Sequence, residues 1–137
     1  MYLIGRGLSY PLVLEAALKI KEVSYIHAEG FAAGELKHGA IALVGQKTPC
    51  IVFAPHDETH GANLAGAMEV KAREGFIIGI SDQREEVFDA FLPIGNCEEA
   101  TIIPNVVVSQ LLAYHLALLR GNNPDMPRNL AKSVTVK

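Results

Sequence analysis

The sequence predicts an α/β domain, a three-layer αβα sandwich with a mainly parallel sheet. Short apolar runs rich in Ile and Val alternate along the chain with longer helical runs, and half of the 137 residues are hydrophobic. Strands of a parallel sheet are uniformly apolar when helices cover both faces, because neither face meets water. A chain of this length typically forms one domain around a single core. The mean hydropathy of +0.22 favours a sheet buried on both faces, a sizeable subunit interface, or both.

Local signals predict where the elements begin and end. Ser9 stands at an N-cap position with Pro11 in the first helical turn, and Gly75 is a stop signal for the second helix. A short strand is possible in the segment "ATIIP", and a short helix is possible in the glycine-punctuated segment 30–43. The predicted order is strand 2–5, helix 9–28, turn 30–43, strand 49–55, helix 58–75, strand 76–81, short polar helix 82–90, strand 91–95 and helix 105–120.

Charge and hydropathy exclude several classes of function. The net charge is −3, so no basic field favours nucleic acid or an anionic membrane, and neither is an expected partner. The apolar run 106–119 contains Ser, Gln and His and is too short to span a bilayer. It predicts a buried helix in which His115 is a satisfied core residue.

Cysteine usage and the start of the chain bear on where the protein works. Cys50 and Cys97 lie in or beside apolar runs without CxxC spacing, which predicts free buried thiols in a reducing cytosol and a cytoplasmic location. Met1 leads directly into the first strand, without a signal peptide or a lead-in segment. We therefore expect a fragment or an excised domain.

Two segments near the amino terminus carry candidate chemistry. The turn "IGRGLSYP" could bind phosphate through backbone N–H groups and the Ser9 hydroxyl, although it lacks the third glycine and the acidic residue of a dinucleotide site. A tight turn with a capping serine is the alternative. Glu15, Lys19 and Glu22 share one helix face at spacings of four and three residues. That face is either a solvated row of ion pairs or a carboxylate and an ammonium arranged to move a proton.

Histidines supply the remaining candidates. His38 lies in "GELKHG", where flanking glycines can present an acid–base group, or where it is simply a surface histidine. "HDETH" spaces His56 and His60 like a zinc-protease helix, but the residue after the first histidine is Asp57 and no third ligand is apparent. We therefore expect no metal. His27 is expected at a helix end, where a cation is stabilised.

The segments "LEAALKIKEVSYIHAEGFAAGELKHGAIAL" and "PRNLAKSVTVK" closely resemble one family. They are similar to the C-terminal half of the isomerase part of the glutamine–fructose-6-phosphate amidotransferases, also called glucosamine-6-phosphate synthases. The resemblance implies a sugar isomerase (SIS) domain over residues 1–120 and a catalytic tail over residues 121–137. It also implies that the whole enzyme passes glutamine-derived ammonia to fructose 6-phosphate and forms glucosamine 6-phosphate, without a cofactor.

The resemblance also implies residue roles. Glu22 in "KIKE" matches the carboxylate that moves a proton between C1 and C2, and Lys19 matches a lysine that supports this transfer. His38 matches a ring-opening histidine donated by the neighbouring subunit of a homodimer. Lys132 in "NLAKS" matches the lysine that forms a Schiff base with the open-chain sugar, and Arg128 matches an arginine that helps to set the site.

Departures from the family pattern limit what this chain can do alone. Family glutaminases use a cysteine after the initiator methionine, where this chain has Tyr2, and the main phosphate grip belongs to a first SIS domain. We expect the chain to hold catalytic groups but to be weakly active or inactive without its partners, the first SIS domain and the glutaminase domain. The alternatives are a stand-alone phosphosugar isomerase and a non-catalytic sugar-phosphate-binding or dimerisation module.

Overall fold

A computed structural model describes residues 1–129, which form a five-stranded sheet flanked by helices. All strand pairs are parallel, and the strand order is β2-β1-β3-β4-β5. The strands are β1 (Tyr2–Gly5), β2 (Glu29–Ala32), β3 (Pro49–Phe53), β4 (Phe76–Ser81) and β5 (Ala90–Pro93). The α-helices are α1 (Ser9–Ser24), α2 (His60–Lys71) and α3 (Ile102–Leu119). Short 3₁₀-helices cover Leu36–His38, Ala40–Leu43 and Glu98–Ala100.

Two apolar layers confirm the predicted αβα sandwich. Successive side chains of a strand point to opposite faces, so Leu3 and Ile4 of β1 enter different layers although both are fully buried. One layer lies between the sheet and α2, where Ile4 belongs to the same cluster as Val70. The other layer lies between the sheet and the pair α1 and α3, where Leu3 belongs to the same cluster as Val13. The central strands are therefore buried on both faces, as their uniform hydrophobicity predicts.

The strand β2 is an element that the sequence analysis missed, because the predicted helix 9–28 runs too far. The helix ends at Ser24, and Tyr25 caps it in the left-handed conformation with φ 57°. The chain then returns to the start of β1, where Glu29 N–H donates to Met1 O at 3.2 Å. Gly30 permits this close approach to α1, because a Cβ there would overlap Val13.

The predicted polar helix 82–90 is wrong, because tertiary contacts override its local propensity. Phe88 is buried against Gly79 of β4, and Asp89 continues the pairing beyond β5. The Asp89 backbone N–H donates to Ile77 O at 2.9 Å, and its carboxylate accepts the Ile77 N–H at 2.8 Å. This exchange of hydrogen bonds with β4 holds the segment as a turn.

Three smaller predictions also need correction. The short strand in "ATIIP" does not form, since that segment ends one 3₁₀-helix and begins α3 at Ile102. Ser9 is not the N-cap of α1, because that position is occupied by Leu8 without a side-chain capping bond. Cys97 is exposed rather than buried, whereas Cys50 is buried and its burial raises the pKa of the thiol to about 12.

The helix α3 is buried along one stripe only, which contradicts the predicted buried helix. The buried residues of α3 follow helical spacing and are Asn105, Ser109, Ala113 and Ala117. His115 is exposed and is not a core residue. Among the described residues, α3 is the one helix long and apolar enough to cross a membrane, with hydropathy 1.7 and 22% of the window buried. Its stripe packs on the α1 side of the sheet, and the rest of its apolar surface remains open.

The Phe88 anchor predicts a selective glycine requirement in β4. In Gly79→Ala, the new methyl group would overlap the Phe88 ring, so we expect the free energy of unfolding to fall by ~1–3 kcal/mol, the usual cost of overpacking. Gly61→Ala in α2 is the control, because its Cβ would meet open space. Urea denaturation measures both variants, and equal stability of Gly79→Ala and the unsubstituted chain would contradict the Phe88 packing.

Candidate functional site

The two ends of the sheet carry different residues of the predicted site. Since β1 and β2 are parallel, α1 must run back across the sheet, and it ends beside the amino ends of the strands. The amino group of Met1 donates to His27 O at 3.2 Å, which fixes this return. Ser9, at the start of α1, and Glu22, near its end, are separated by about 20 Å along the helix axis at ~1.5 Å per residue.

The ion pair between Lys19 and Glu22 is the centre of the candidate site. The Lys19 ammonium donates to Glu22 Oε2 at 2.6 Å, and Glu15 Oε1 lies 3.7 Å from the same nitrogen. The hydrogen bond that Lys19 donates to Glu22 is the main reason that the pKa of Lys19 is raised above its usual value. The Lys19 and Glu22 side chains are 31% and 27% exposed, so the pair is partly shielded yet accessible to a small molecule. The predicted shared face of α1 is therefore observed, and it holds ion pairs.

An open cleft of about 510 Å³ brings Glu22 together with Arg128. We call it the amino-end cleft, and it is lined by Leu18, Lys21, Glu22, Tyr25, Ile26, His27, Arg128 and Asn129. Tyr25 joins the two parts, because its hydroxyl accepts the Arg128 backbone N–H at 2.8 Å and its ring lies 4.1 Å below the Arg128 guanidinium. A guanidinium over an aromatic face is a favourable cation–π contact. The first residues of the tail are thus fixed beside Glu22.

Other predicted site residues lie elsewhere. His38 is exposed in the 3₁₀-helix after β2, near the carboxyl ends of the strands and away from Glu22. Ser9 is buried at the start of α1, also at the carboxyl end. Lys132 lies outside the described residues. One chain therefore brings Lys19, Glu22 and Arg128 to one end of the sheet, while His38 and Ser9 lie at the other.

A second cleft, of about 430 Å³, lies at the carboxyl end of the sheet. Its lining residues, which define the carboxyl-end cleft, are Gly7, Leu8, Ser9, Leu12, Pro55, His56, Asp57, Glu58, Thr59, Asp82, Asn96, Glu98, Thr101, Ile102 and Asn105. Of these described residues, four are carboxylates and none is a lysine or an arginine. The backbone N–H groups of Ser9 and Tyr10 donate to Arg6 O and Gly7 O, so they serve the turn itself. The cleft therefore favours cations over phosphate, the ligand that the glycine turn could have bound.

The "HDETH" segment has a third potential ligand that the sequence analysis missed. Glu85 lies beside His56 and His60, and one ligand atom from each of the three residues falls within 4.8 Å of the others. His60 begins α2, His56 precedes it, and Glu85 belongs to the turn after β4. Twenty-five positions separate His60 from Glu85, so only the pairing of β3 with β4 brings them together. Tyr25 was missed for a similar reason, since its partner Arg128 is 103 positions away.

Comparison with known proteins identifies the family. Residues 1–120 match the family model of the SIS domain. The chain belongs to the SIS domain family. It is 52% identical over 139 residues to the glutamine–fructose-6-phosphate aminotransferase (isomerizing) of Pyrococcus horikoshii and 51% identical over 142 residues to that of Agrobacterium fabrum. These alignments cover 99% and 98% of this chain, respectively, but the chain spans only 23% of the length of either relative.

Solved structures agree with this family. The C-terminal domain of glucosamine-fructose-6-phosphate aminotransferase from Francisella tularensis has a TM-score of 0.80 at 38% identity, with 91% of this chain and 37% of that chain covered. Tagatose-6-phosphate ketose/aldose isomerase from Escherichia coli has a TM-score of 0.77 at 20% identity, with 98% and 40% covered, and it shares the fold. The predicted SIS domain is therefore confirmed.

The Tyr25 contact predicts how the start of the tail is held. In Tyr25→Phe, the ring remains under the guanidinium but the acceptor of the Arg128 N–H is lost. We expect the hydrogen-exchange protection of the Arg128 amide to fall two- to tenfold, which corresponds to ~0.5–1.4 kcal/mol for a net hydrogen bond. Tyr10→Phe, at an exposed position on the same helix, is the matched control. Equal exchange rates in the two variants would contradict the docking of Arg128 on Tyr25.

Proposed function

We propose that the chain is the C-terminal isomerase (SIS) domain of an enzyme that converts fructose 6-phosphate and glutamine-derived ammonia into glucosamine 6-phosphate, in hexosamine biosynthesis. The observation that carries this proposal is the amino-end cleft, in which a Lys19-paired Glu22 faces the anchored start of the tail. The names of relatives about half identical to this chain support the same reaction. Since the chain spans only part of those relatives, the remaining domains are its expected partners.

Glu22 is the proposed base of the isomerisation. Interconversion of a ketose and an aldose requires one group that removes a proton beside a carbonyl and returns it at the adjacent carbon. A carboxylate can reach both carbons, and the short charge-assisted bond from Lys19 keeps the Glu22 carboxylate oriented at the cleft. Lys19 thus acts by positioning Glu22 and by stabilising negative charge near the sugar hydroxyls.

Lys132 is the proposed imine former, and the docking of Arg128 favours this role. Four residues of extended chain span at most ~14 Å, so the anchored Arg128 limits how far Lys132 can lie from the cleft. An imine makes the neighbouring proton easier to remove. A lysine with an ordinary pKa of ~10.4 is neutral in only roughly one molecule in 2,500 at pH 7. Cationic neighbours, for which Arg128 and Lys19 are the candidates, would lower that pKa. Proton transfer and imine chemistry of this kind use protein side chains and need no cofactor.

The position of His38 favours a homodimer. Ring opening needs an acid–base group at the sugar, and His38 of the same chain lies at the opposite end of the sheet from Glu22. A second copy could present its own His38 to the amino-end cleft, as the family resemblance implies. In a two-fold dimer the two sites would then be equivalent, and each would contain residues of both subunits. Ser9 would line the separate carboxyl-end cleft, and its substrate-binding role rests on the glycine turn alone.

The open face of α1 and α3 is the proposed contact with the other domains of the parent enzyme. A groove of about 440 Å³ between these helices is lined by Lys19, Val23, Val107, Gln110, Leu111, Ala113, Tyr114 and Pro124. Exposed Leu14 and Leu18 extend its apolar surface along α1. A continuous apolar face of this kind is typical of an interface. Because Lys19 lies in this groove, a covering domain would also shield the Lys19–Glu22 pair. We therefore propose that another protein domain, rather than lipid, covers this groove. We also propose that the enzyme is cytoplasmic, which agrees with its two free thiols.

A chimera tests the proposed role of Glu22. The chain replaces the matching segment of the Pyrococcus horikoshii relative, and formation of glucosamine 6-phosphate is measured. We expect the chimera to be active and Glu22→Gln to lower kcat by ~10²–10⁴, the usual contribution of a general acid–base group. Glu15→Gln is the matched control, because it binds the same ammonium but is expected to cost at most about fivefold, as an exposed ion pair. A folded chimera that is inactive, or equal kcat values for the two variants, would contradict the proposal.

The isolated chain distinguishes the alternative functions. We expect it to form no glucosamine 6-phosphate from glutamine. Interconversion of fructose 6-phosphate and glucose 6-phosphate that disappears in Glu22→Gln would instead favour a stand-alone isomerase. Binding of fructose 6-phosphate that survives Glu22→Gln and Lys132→Ala without any turnover would favour a non-catalytic module. Chemical shifts in an NMR titration provide the binding measurement.

A further inference from the structure

Three side chains at the carboxyl end of the sheet, which the proposed isomerase does not use, form a compact group of metal ligands. His56, His60 and Glu85 each offer one nitrogen or oxygen within 4.8 Å of the others. His60 Nε2 lies 3.2 Å from Glu85 Oε1. Two ligand atoms held at ~2.0–2.2 Å from a tetrahedral zinc ion are separated by about 3.3–3.6 Å. The His60–Glu85 pair is therefore only slightly closer than two ligands on one metal ion, and the ring centroids of His56 and His60 are 4.2 Å apart.

The hydrogen bonds of His60 determine which nitrogen is available. Its Nδ1 lies 3.0 Å from Ala54 O and 3.2 Å from Pro55 O, and both are acceptors. Nδ1 therefore carries a proton, which leaves the Nε2 lone pair of a neutral ring directed at the Glu85 carboxylate. Two acceptors face each other there unless a proton or a cation lies between them. A histidine that donates its other ring N–H to a backbone carbonyl is the common arrangement at metal sites.

The surrounding backbone holds the three ligands in place. The His56 N–H donates to Asp82 Oδ1 at 3.1 Å, which ties the loop after β3 to the loop after β4. Phe88 is buried and its N–H donates to Glu85 O at 3.1 Å, so the turn that carries Glu85 is anchored in the core. His56 also lines the carboxyl-end cleft, whose four carboxylates create a negative field. Such a field concentrates cations.

We propose that His56, His60 and Glu85 bind one divalent transition-metal ion, with Zn²⁺ as the best-fitting ion. Two imidazoles and one carboxylate suit Zn²⁺ and disfavour Mg²⁺ and Ca²⁺, which prefer oxygen ligands. The three protein ligands leave a fourth position beside the carboxyl-end cleft, where water or a small anionic or hydroxyl-bearing ligand can coordinate. The ion links the loops that follow β3 and β4. It lies at the opposite end of the sheet from Glu22, so metal binding can be tested independently of the proposed isomerase activity.

Zinc titration of the metal-free chain tests the proposal. Competition with a chromophoric zinc indicator gives the stoichiometry and the Kd, and Co²⁺ in place of zinc reports the coordination through its visible absorption. We expect one equivalent to bind, a rise in Tm on zinc addition, and a Kd at least about tenfold weaker in His60→Gln and in Glu85→Gln, since even outer ligands of metal sites contribute 10–100-fold. Gln is isosteric with Glu at the partly exposed position 85, so Glu85→Gln retains the fold even where His60→Gln does not.

A second histidine–glutamate pair provides the matched control. His27 Nε2 lies 3.3 Å from Glu29 Oε1 on the surface, a similar spacing with only two ligands. His27→Gln is expected to leave the stoichiometry, the Kd and the rise in Tm unchanged. The proposal is overturned if wild-type chain binds no zinc in competition with the indicator. It is equally overturned if Glu85→Gln binds zinc as tightly as wild type, or if His27→Gln causes the loss instead.

Discussion

The parallel pairing of β1 with β2 and of β3 with β4 is the constraint on which the rest of the structure depends. Parallel neighbours require each connection to return across a face of the sheet, so α1 and α2 both run from the carboxyl end to the amino end. The central strands are consequently buried on both faces, which explains their continuous runs of Leu, Ile and Val. Because the helices return in this way, the polar residues are distributed between the two ends of the sheet. Residues that follow a strand collect at one end, and residues that finish a helix collect at the other.

The two ends are chemically different as a result. The amino-end cleft combines a paired carboxylate, Glu22, with the guanidinium of Arg128 and the docked start of the tail, which suits an anionic sugar undergoing proton transfer. The carboxyl-end cleft presents carboxylates and histidines, and its glycine turn satisfies its own N–H groups. A single copy thus places Glu22 and His38 at opposite ends of the sheet. That separation is the structural argument for a site assembled from two copies, and the open face of α1 and α3 supplies a surface for further domains.

The sequence predicts the features that depend on local residue spacing and misses those that depend on contacts between distant segments of the chain. Within residues 1–129, four of the five strands and all three α-helices follow from hydrophobic runs, and the Lys19–Glu22 pair follows from a spacing of three residues. The strand β2 forms only because the start of β1 lies beside it, and the polar segment after β4 is a turn only because Phe88 enters the core. Arg128 on Tyr25 and Glu85 beside His60 join distant parts of the chain, so neither leaves a local pattern. The family resemblance, by contrast, indicated Arg128 from its motif.

The claim that each catalytic site draws on two copies has one direct test. Differently tagged Glu22→Gln and His38→Ala versions of the aminotransferase chimera are each expected to be inactive alone, and they are unfolded, mixed in equal amounts and refolded together. In a two-fold dimer with shared sites, half of the dimers are mixed and each has one intact site, so roughly a quarter of the wild-type activity returns. Recovery of that activity in the doubly tagged fraction is the predicted result. A mixed dimer that remains inactive would show that Glu22 and His38 must come from the same copy, and would contradict the account.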